Sequence, residues 1–332
     1  MLVVGDIGAT NIRLATFKRG RPRDFSQPRK YSRKPDGSPW TVVEALADFA
    51  RSLPEPVEAA CLGVAGRVQE EELVIPSNRK DIIRRAEVAA SLGIEPRRVR
   101  LVNDMLPHIA CVDLLREDET IFIRQGKREA ATRAVSMPGT GLGTGLAVYD
   151  ETIGRHRHNP VPSEGGHVEF APRTDEQIEV LRACRGMLPP WENQVTWETI
   201  LCGEGLRRVY TLFTGGSAKD LPAAPPAEAI TAEAAPGVDA AAREHTLDFF
   251  VAVWGQQCAN LMLASAAAGG LYVGGSIASS LLPRLCTDRF LEPMSATGSD
   301  ALLELTAGVA VVFMRHPETG LLGSAALAER LL

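Results

Sequence analysis

The sequence predicts an α/β fold. Short apolar runs of strand character recur along the chain, at Leu2 to Gly5, Ile12 to Phe17, Ala59 to Val64, Val99 to Val102 and Ala134 to Met137. Between them lie segments with apolar residues at helical spacing, Trp40 to Leu53 being the clearest. Strands mixed with helices along one chain define the class. A third observation refines it. A strand, a ligand-sized loop and a second strand open the chain and occur again from Ala134, which suggests two related α/β lobes. A chain of 332 residues has room for roughly two domains, each with a core of its own.

Taken in order, Leu2 to Gly5 and Ile12 to Phe17 form a hairpin whose tip, Asp6-Ile7-Gly8-Ala9-Thr10-Asn11, is unusually polar. A strand is expected near Arg29 to Ser32, then the helix Trp40 to Leu53, stopped by Pro54. Ile82 to Leu92 reads as a helix. Met105 to Leu115 reads as another, with Asn103 and Asp104 as cap candidates and Pro107 suited to its first turn. Pro138 to Thr144 is a glycine-dense loop between the strands Ala134 to Met137 and Gly145 to Tyr149. The Ala- and Pro-rich stretch Pro222 to Pro236 reads as a surface loop or a poorly packed helix, a local insertion and not a linker. Phe249 to Pro283 carries no charge, but Gln256, Gln257 and Asn260 interrupt it and Gly269, Gly270, Gly274 and Gly275 divide it. Helix, strand, helix fits this stretch better than a membrane span.

Composition excludes several functions. Lys plus Arg is 36 and Asp plus Glu is 41, a net charge of −5, which offers no footprint for nucleic acid or an anionic membrane. The cysteines, Cys61, Cys111, Cys184, Cys202, Cys258 and Cys286, are widely spaced and form no CxxC, so a zinc ribbon or a thioredoxin-like motif is unsupported. No basic and then apolar leader opens the chain, and a cytoplasmic protein with reduced thiols is expected. GxSxG and HExxH are missing as well.

The candidate chemistry sits in loops. Gly139-Thr140-Gly141-Leu142-Gly143-Thr144-Gly145 has glycine at every second position, so backbone N–H groups can approach a phosphate. It matches neither the P-loop nor the dinucleotide fingerprint. Asp6, with Gly8, Thr10 and Asn11, could hold a hydrated Mg²⁺ and present amides and a hydroxyl to a phosphate tail. Pro162-Ser163-Glu164-Gly165-Gly166-His167 sets a carboxylate and an imidazole beside two glycines, an arrangement suited to gripping vicinal hydroxyls. Glu198 follows Thr196 at a helix start. Each has a plain structural reading: a turn, a cap, a solvated loop, or an acid favoured by the helix dipole.

In combination and in this order, these residues resemble the bacterial ATP-dependent glucokinase family. The matching pieces are Asp6 to Asn11, Asn103-Asp104, Pro138 to Gly143, Glu164-Gly165-Gly166-His167-Val168-Glu169-Phe170-Ala171-Pro172, Glu198, Gly274-Gly275, His316-Pro317 and Gly320-Leu321-Leu322-Gly323. The resemblance covers nearly the whole chain, and the Glu-Gly-Gly-His run is its most specific piece. It implies the two-lobed, actin-like (ribonuclease H-like) sugar kinase fold with a cleft between lobes. The small lobe would be residues 1–106, completed by a C-terminal helix at about 320–332, and the large lobe 107–319. It further implies ATP, Mg²⁺ and glucose, with Asp104 as general base and Asn103, Asp104, Glu164, His167 and Glu198 as sugar ligands. Asp6 would serve the metal through water, Gly8, Thr10, Asn11, Gly139, Thr140 and Gly141 the phosphates, and Gly274 and Gly275 the adenosine. A homodimer is compatible with the sequence, which leaves the oligomeric state open.

Three departures from the family pattern stand out. Ala9 replaces a second glycine, Ser77-Asn78-Arg79-Lys80 lacks an expected Trp, and Met105 replaces Phe. The alternative is a zinc-free relative of the repressor and open-reading-frame kinase family acting on another hexose or an amino sugar. That family carries a cysteine-rich zinc motif after its Gly-His, where this chain has Cys184 and then Cys202. A catalytically silent sugar-sensing paralogue is the rival of a different class.

Overall fold

The structure, a computed structural model, describes the chain except residues 9–10, 77–78, 153–157, 190–191 and 296–298. The expected phosphate-loop residues Ala9 and Thr10, and Ser77 and Asn78, therefore lie outside the described residues. The chain divides into unit 1, comprising Met1–Arg116, Glu151–Pro162 and His316–Leu332, and unit 2, comprising Glu117–Asp150 and Ser163–Arg315.

Unit 1 opens with β1 (Leu2–Ile7) and β2 (Ile12–Lys18), antiparallel, with Leu2 opposite Phe17 and Asp6 opposite Arg13. Both β3 (Arg21–Phe25) and β4 (Arg29–Tyr31) pair with β2. Next comes α1 (Val42–Arg51), which Thr41 and Glu44 start with a capping box. β5 (Ala59–Val64) runs parallel to β1. A small antiparallel sheet, β6 (Gly66–Gln69), β7 (Leu73–Pro76) and β8 (Ile83–Arg84), precedes α2 (Arg85–Leu92). The helix expected from Ile82 thus begins only at Arg85. Ile82 is exposed and Ile83 buried, the two-residue alternation of a strand. β9 (Val99–Asn103) lies parallel to β5 and leads into α3 (Met105–Cys111).

Unit 2 repeats the plan. β10 (Thr120–Arg124) is followed by the hairpin β11 (Arg133–Pro138) and β12 (Leu142–Tyr149). Pro138 pairs with Leu142, so the glycine-dense loop shrinks to Gly139, Thr140 and Gly141, with Gly143 and Gly145 inside β12. Through β13 (His158–Ser163) the chain returns to unit 2, where α4 (Asp175–Arg185), α5 (Trp197–Ile200), α6 (Gly203–Phe213), α7 (Ala227–Thr231) and α8 (Ala240–Ser265) follow. Then come β14 (Leu271–Val273), α9 (Ser276–Leu285), α10 (Asp288–Ser295), α11 (Asp300–Ala307) and β15 (Val311–Met314). The last helix, α12 (Thr319–Glu329), belongs to unit 1.

The two sheets share one topology. In unit 1 the order β2-β1-β5-β9 is a hairpin followed by two parallel neighbours, and β12-β11-β14-β15 in unit 2 is the same arrangement. Alternation along β1 divides its side chains between two layers. Val3 and Ile7 face a core with Leu46 of α1 and Val88 of α2, while Leu2 and Val4 face one with Leu106 of α3 and Leu322 of α12. The α3–α12 contact is so close that a Cβ on Gly323 would stand 1.7 Å from the Pro107 carbonyl oxygen. In unit 2 the uncharged stretch forms α8, β14 and α9, as its glycines predict. Trp254 Nε1 donates to Ser136 Oγ at 3.0 Å, and that hydroxyl donates to Gln257 Oε1 at 2.9 Å. The amide that argued against a membrane span is thus a satisfied core group. Among the described residues, no helix is long and apolar enough to cross a membrane.

Candidate active site

In unit 1 the candidate residues stand at the ends of β1, β2 and β9. Asp6 is held by its partner across the hairpin: Arg13 donates Nη2 and Nε to Asp6 Oδ2 at 2.7 and 3.2 Å. Glu318, just before α12, lies 3.2 Å from Arg13 Nη1. Burial raises the Glu318 pKa, with Arg13 opposing and Asp6 adding to the rise. His108 Nδ1 meets Thr319 Oγ1 at 2.7 Å, and burial lowers its pKa despite the nearby Asp6 charge. Gly8 closes the hairpin tip through its N–H to the Asn11 carbonyl at 3.0 Å. Asn11 Oδ1 accepts from Ser32 Oγ at 2.6 Å, tying the tip to the end of β4.

Asn103 and Asp104 divide the work at the start of α3. Asn103 Oδ1 accepts the Met105 N–H at 2.9 Å, while Asp104 makes no side-chain cap bond. The plain cap reading therefore belongs to Asn103. Arg79, where the sequence lacks the expected aromatic, is nearly buried; it donates to Asp81 Oδ1 at 2.9 Å and to the Trp40 carbonyl at 2.6 Å.

In unit 2, Thr196 caps α5 through the Thr199 N–H, and this places Glu198 against the glycine loop. Glu198 Oε2 accepts the Leu142 N–H at 2.7 Å. A Cβ on Gly141 would come within 2.5 Å of the same oxygen, so a side chain there would make this carboxylate shift. The dipole-favoured reading of Glu198 is therefore incomplete, since its carboxylate ties α5 to the loop. Glu164 and Glu198 flank His167: Nε2 is 3.7 Å from Glu164 Oε2, and Nδ1 is 3.9 Å from Glu198 Oε1. These separations exceed a hydrogen bond and leave both carboxylates and the ring, which is 60% exposed, open to hydroxyls of a ligand. Gly166 packs its backbone on the Leu142 carbonyl, which fixes the turn bearing His167.

Beside this group lies a cavity of about 480 Å³, lined by Gly139 and Thr140, by Ser276, Ile277 and Ser280 of α9, and by Glu204, Arg207 and the segment from Ala224 to Thr231. Gly274 and Gly275 lead into α9, and Gly275 has φ of 94°, a conformation that favours glycine. The Ala- and Pro-rich stretch is therefore a cavity wall. Its sequence hid this, because alanine and proline carry no chemical signature. Arg13 was equally missed, although the hairpin register, which sets it opposite Asp6, could have found it.

The fold is that of the actin-like sugar kinases. The glucokinase family model matches residues 3–331. The chain is 31% identical to the glucokinase of Sinorhizobium medicae over 99% of its own length and 92% of the relative's. It is 32% identical to that of Mesorhizobium japonicum over 99% and 91%. Among solved structures, glucokinase from an Antarctic psychrotroph matches with TM-score 0.80 at 26% identity, covering 99% of this chain and 98% of that one. A glucokinase of the ROK family from Streptomyces griseus, solved with glucose and AMPPNP, shares the fold with TM-score 0.64 at 19% identity over 99% of each chain. The chain belongs to the glucokinase family, the ATP:D-glucose 6-phosphotransferases.

Proposed function

We propose that the protein transfers the γ-phosphoryl group of ATP to the 6-hydroxyl of glucose, with Asp104 as general base. Asp104 takes the proton as O6 attacks phosphorus, and the bond to the bridging oxygen breaks to release ADP. The observation that carries this reading is the match of the glucokinase family model to residues 3–331, with Asp104 standing where α3 begins. Asn103, Asp104, Glu164, His167 and Glu198 serve the sugar. The cavity beside Gly139 and Thr140 takes the nucleotide, its phosphates at Gly139, Thr140 and Gly141 and its adenosine over Gly274 and Gly275.

The donor set fits Mg²⁺ brought by the nucleotide. Asp6 is a single carboxylate beside a phosphate loop, and Mg²⁺ usually keeps several waters while taking one or two carboxylates with phosphate oxygens. When bound, the ion supplies neutralisation of the charge developing on the phosphates. Arg13 meanwhile holds Asp6 through its Oδ2 oxygen.

Asp104→Asn tests the reading. We expect kcat to fall by about 10²- to 10⁴-fold, the usual cost of losing a general base, with glucose affinity retained by calorimetry. Near-normal turnover would reduce Asp104 to a structural residue.

A further inference from the structure

We propose that Arg207 is a positioning residue of the nucleotide cavity, holding residues 221–226 as its wall and thereby setting affinity for the phosphoryl donor's base. The inference rests on the reading that this cavity takes the nucleotide.

The wall's own support is local, a 3-10 turn at Leu221–Ala223 in which the Ala224 N–H donates to the Leu221 carbonyl at 3.1 Å. Between Leu221 and Pro226 the side chains are small or cyclic, and the three prolines donate no N–H. What the segment offers is carbonyl oxygen, and Arg207 collects it. From α6, Nη2 donates to the carbonyls of Leu221 at 2.8 Å and Ala224 at 3.3 Å, and Nε donates to that of Pro225 at 3.3 Å. Nη1 donates to Glu204 Oε2 at 2.7 Å, one turn earlier on the same helix, which fixes the plane of the fork. A planar group with five N–H donors can serve these partners together; an ammonium cannot.

The same helix reaches the phosphate side. The Gly203 N–H, in the first turn of α6, donates to the Gly139 carbonyl at 2.9 Å. One rigid element thus carries both the glycine loop and, through Arg207, the wall a few residues away. Farther along, Ile230 of α7 is fully buried and its carbonyl accepts from Arg243 Nε at 3.0 Å, so the wall is anchored beyond the point Arg207 holds. Losing Arg207 frees the stretch that faces the cavity and leaves the α7 anchor in place. A preordered wall spares a ligand the cost of ordering it, and that gain appears as affinity.

The test uses Arg207→Met and Arg207→Lys in the full-length protein, with steady-state kinetics, binding of a fluorescent ADP analogue and thermal unfolding. For Arg207→Met we expect KM for ATP and Kd for the analogue to rise roughly tenfold, with kcat and KM for glucose within about twofold of the parent. Discrimination between ATP and GTP should narrow as the wall loosens. Arg207→Lys should lie between parent and Met, because it keeps the Glu204 pair and loses carbonyl contacts. A uniform fall in all parameters in proportion to lost folded protein would overturn the proposal, as would unchanged nucleotide affinity in both variants. Ser280→Trp, filling the opposite side of the cavity, separates the two failures. If it leaves analogue binding intact, the nucleotide is elsewhere and the underlying reading falls. If it blocks binding while the Arg207 variants bind as the parent does, only the role of Arg207 falls.

Discussion

Glu198 shows how one carboxylate can belong to two parts of a site. Its Oε2 carries the Leu142 N–H at the end of the glycine loop, while Oε1 faces His167. Truncation should therefore disturb both substrates: Glu198→Ala is expected to raise KM for glucose and for ATP together. Glu164→Ala, whose side chain is 83% exposed and touches His167 alone among these groups, should raise KM for glucose with little change for ATP. Equal responses in the two variants would show that Glu198 does not brace the loop. Gly141→Ala makes the same point from the other side, since its new methyl meets Glu198 Oε2 at 2.5 Å and must push the carboxylate away. The residue types were legible in the sequence, and their ranking was not. Asn103 and Asp104 are equally good cap candidates as letters, and only the 2.9 Å bond to the Met105 N–H assigns that duty to Asn103.

Local signals predicted individual elements well wherever they coincided with a tertiary need. α1 has apolar spacing, a Thr41–Glu44 capping box and a nearby proline stop, and it forms almost where expected. Lys34 and the Thr41 cap hold the Glu44 carboxyl down at about 2. Its folded pKa lies below the unfolded value, so this support is present above about pH 4.5 and fades as pH falls toward 2. Thr41→Ala should cost about 1 kcal/mol, read as a lower urea midpoint with unchanged slope. α12 obeys a stricter condition. With 1.7 Å between a Gly323 Cβ and the Pro107 oxygen, Gly323→Ala forces α12 away from α3 and should cost about 3 kcal/mol or more, visible as a large fall in melting temperature. No local propensity foretells that penalty, because the clash is with a residue more than two hundred positions earlier.

Burial of the thiols is a property of the packed molecule. Five cysteines are buried and Cys286 is exposed. Burial pushes the Cys61 thiol up to about 12 and Cys184 up to about 11, and it raises Cys258 further. At pH 8 the native protein should react with a thiol reagent at one position, Cys286, and at six after denaturation. A folded pKa above the unfolded value of 9.0 means stability that is intact below pH 9 and lost as pH rises beyond it. Urea midpoints should therefore fall progressively from pH 8 through 9 to 10.

The α/β class, the repeated hairpin device and the family are written in local and ordered features: two-residue and helical periodicities, glycine loops and the Glu-Gly-Gly-His run. Such features act over a few residues, so they survive reading one letter at a time. The parallel neighbours β5, β9, β14 and β15, the strand start at Leu142 and the wall at 221–231 depend on partners far along the chain. Pairing and close approach are decided where distant backbones meet, as Pro138 meets Leu142 and Arg207 meets the carbonyls of Leu221, Ala224 and Pro225. An alanine- and proline-rich stretch has no pattern of its own to report that meeting, and its role exists only once the core has brought α6 beside it.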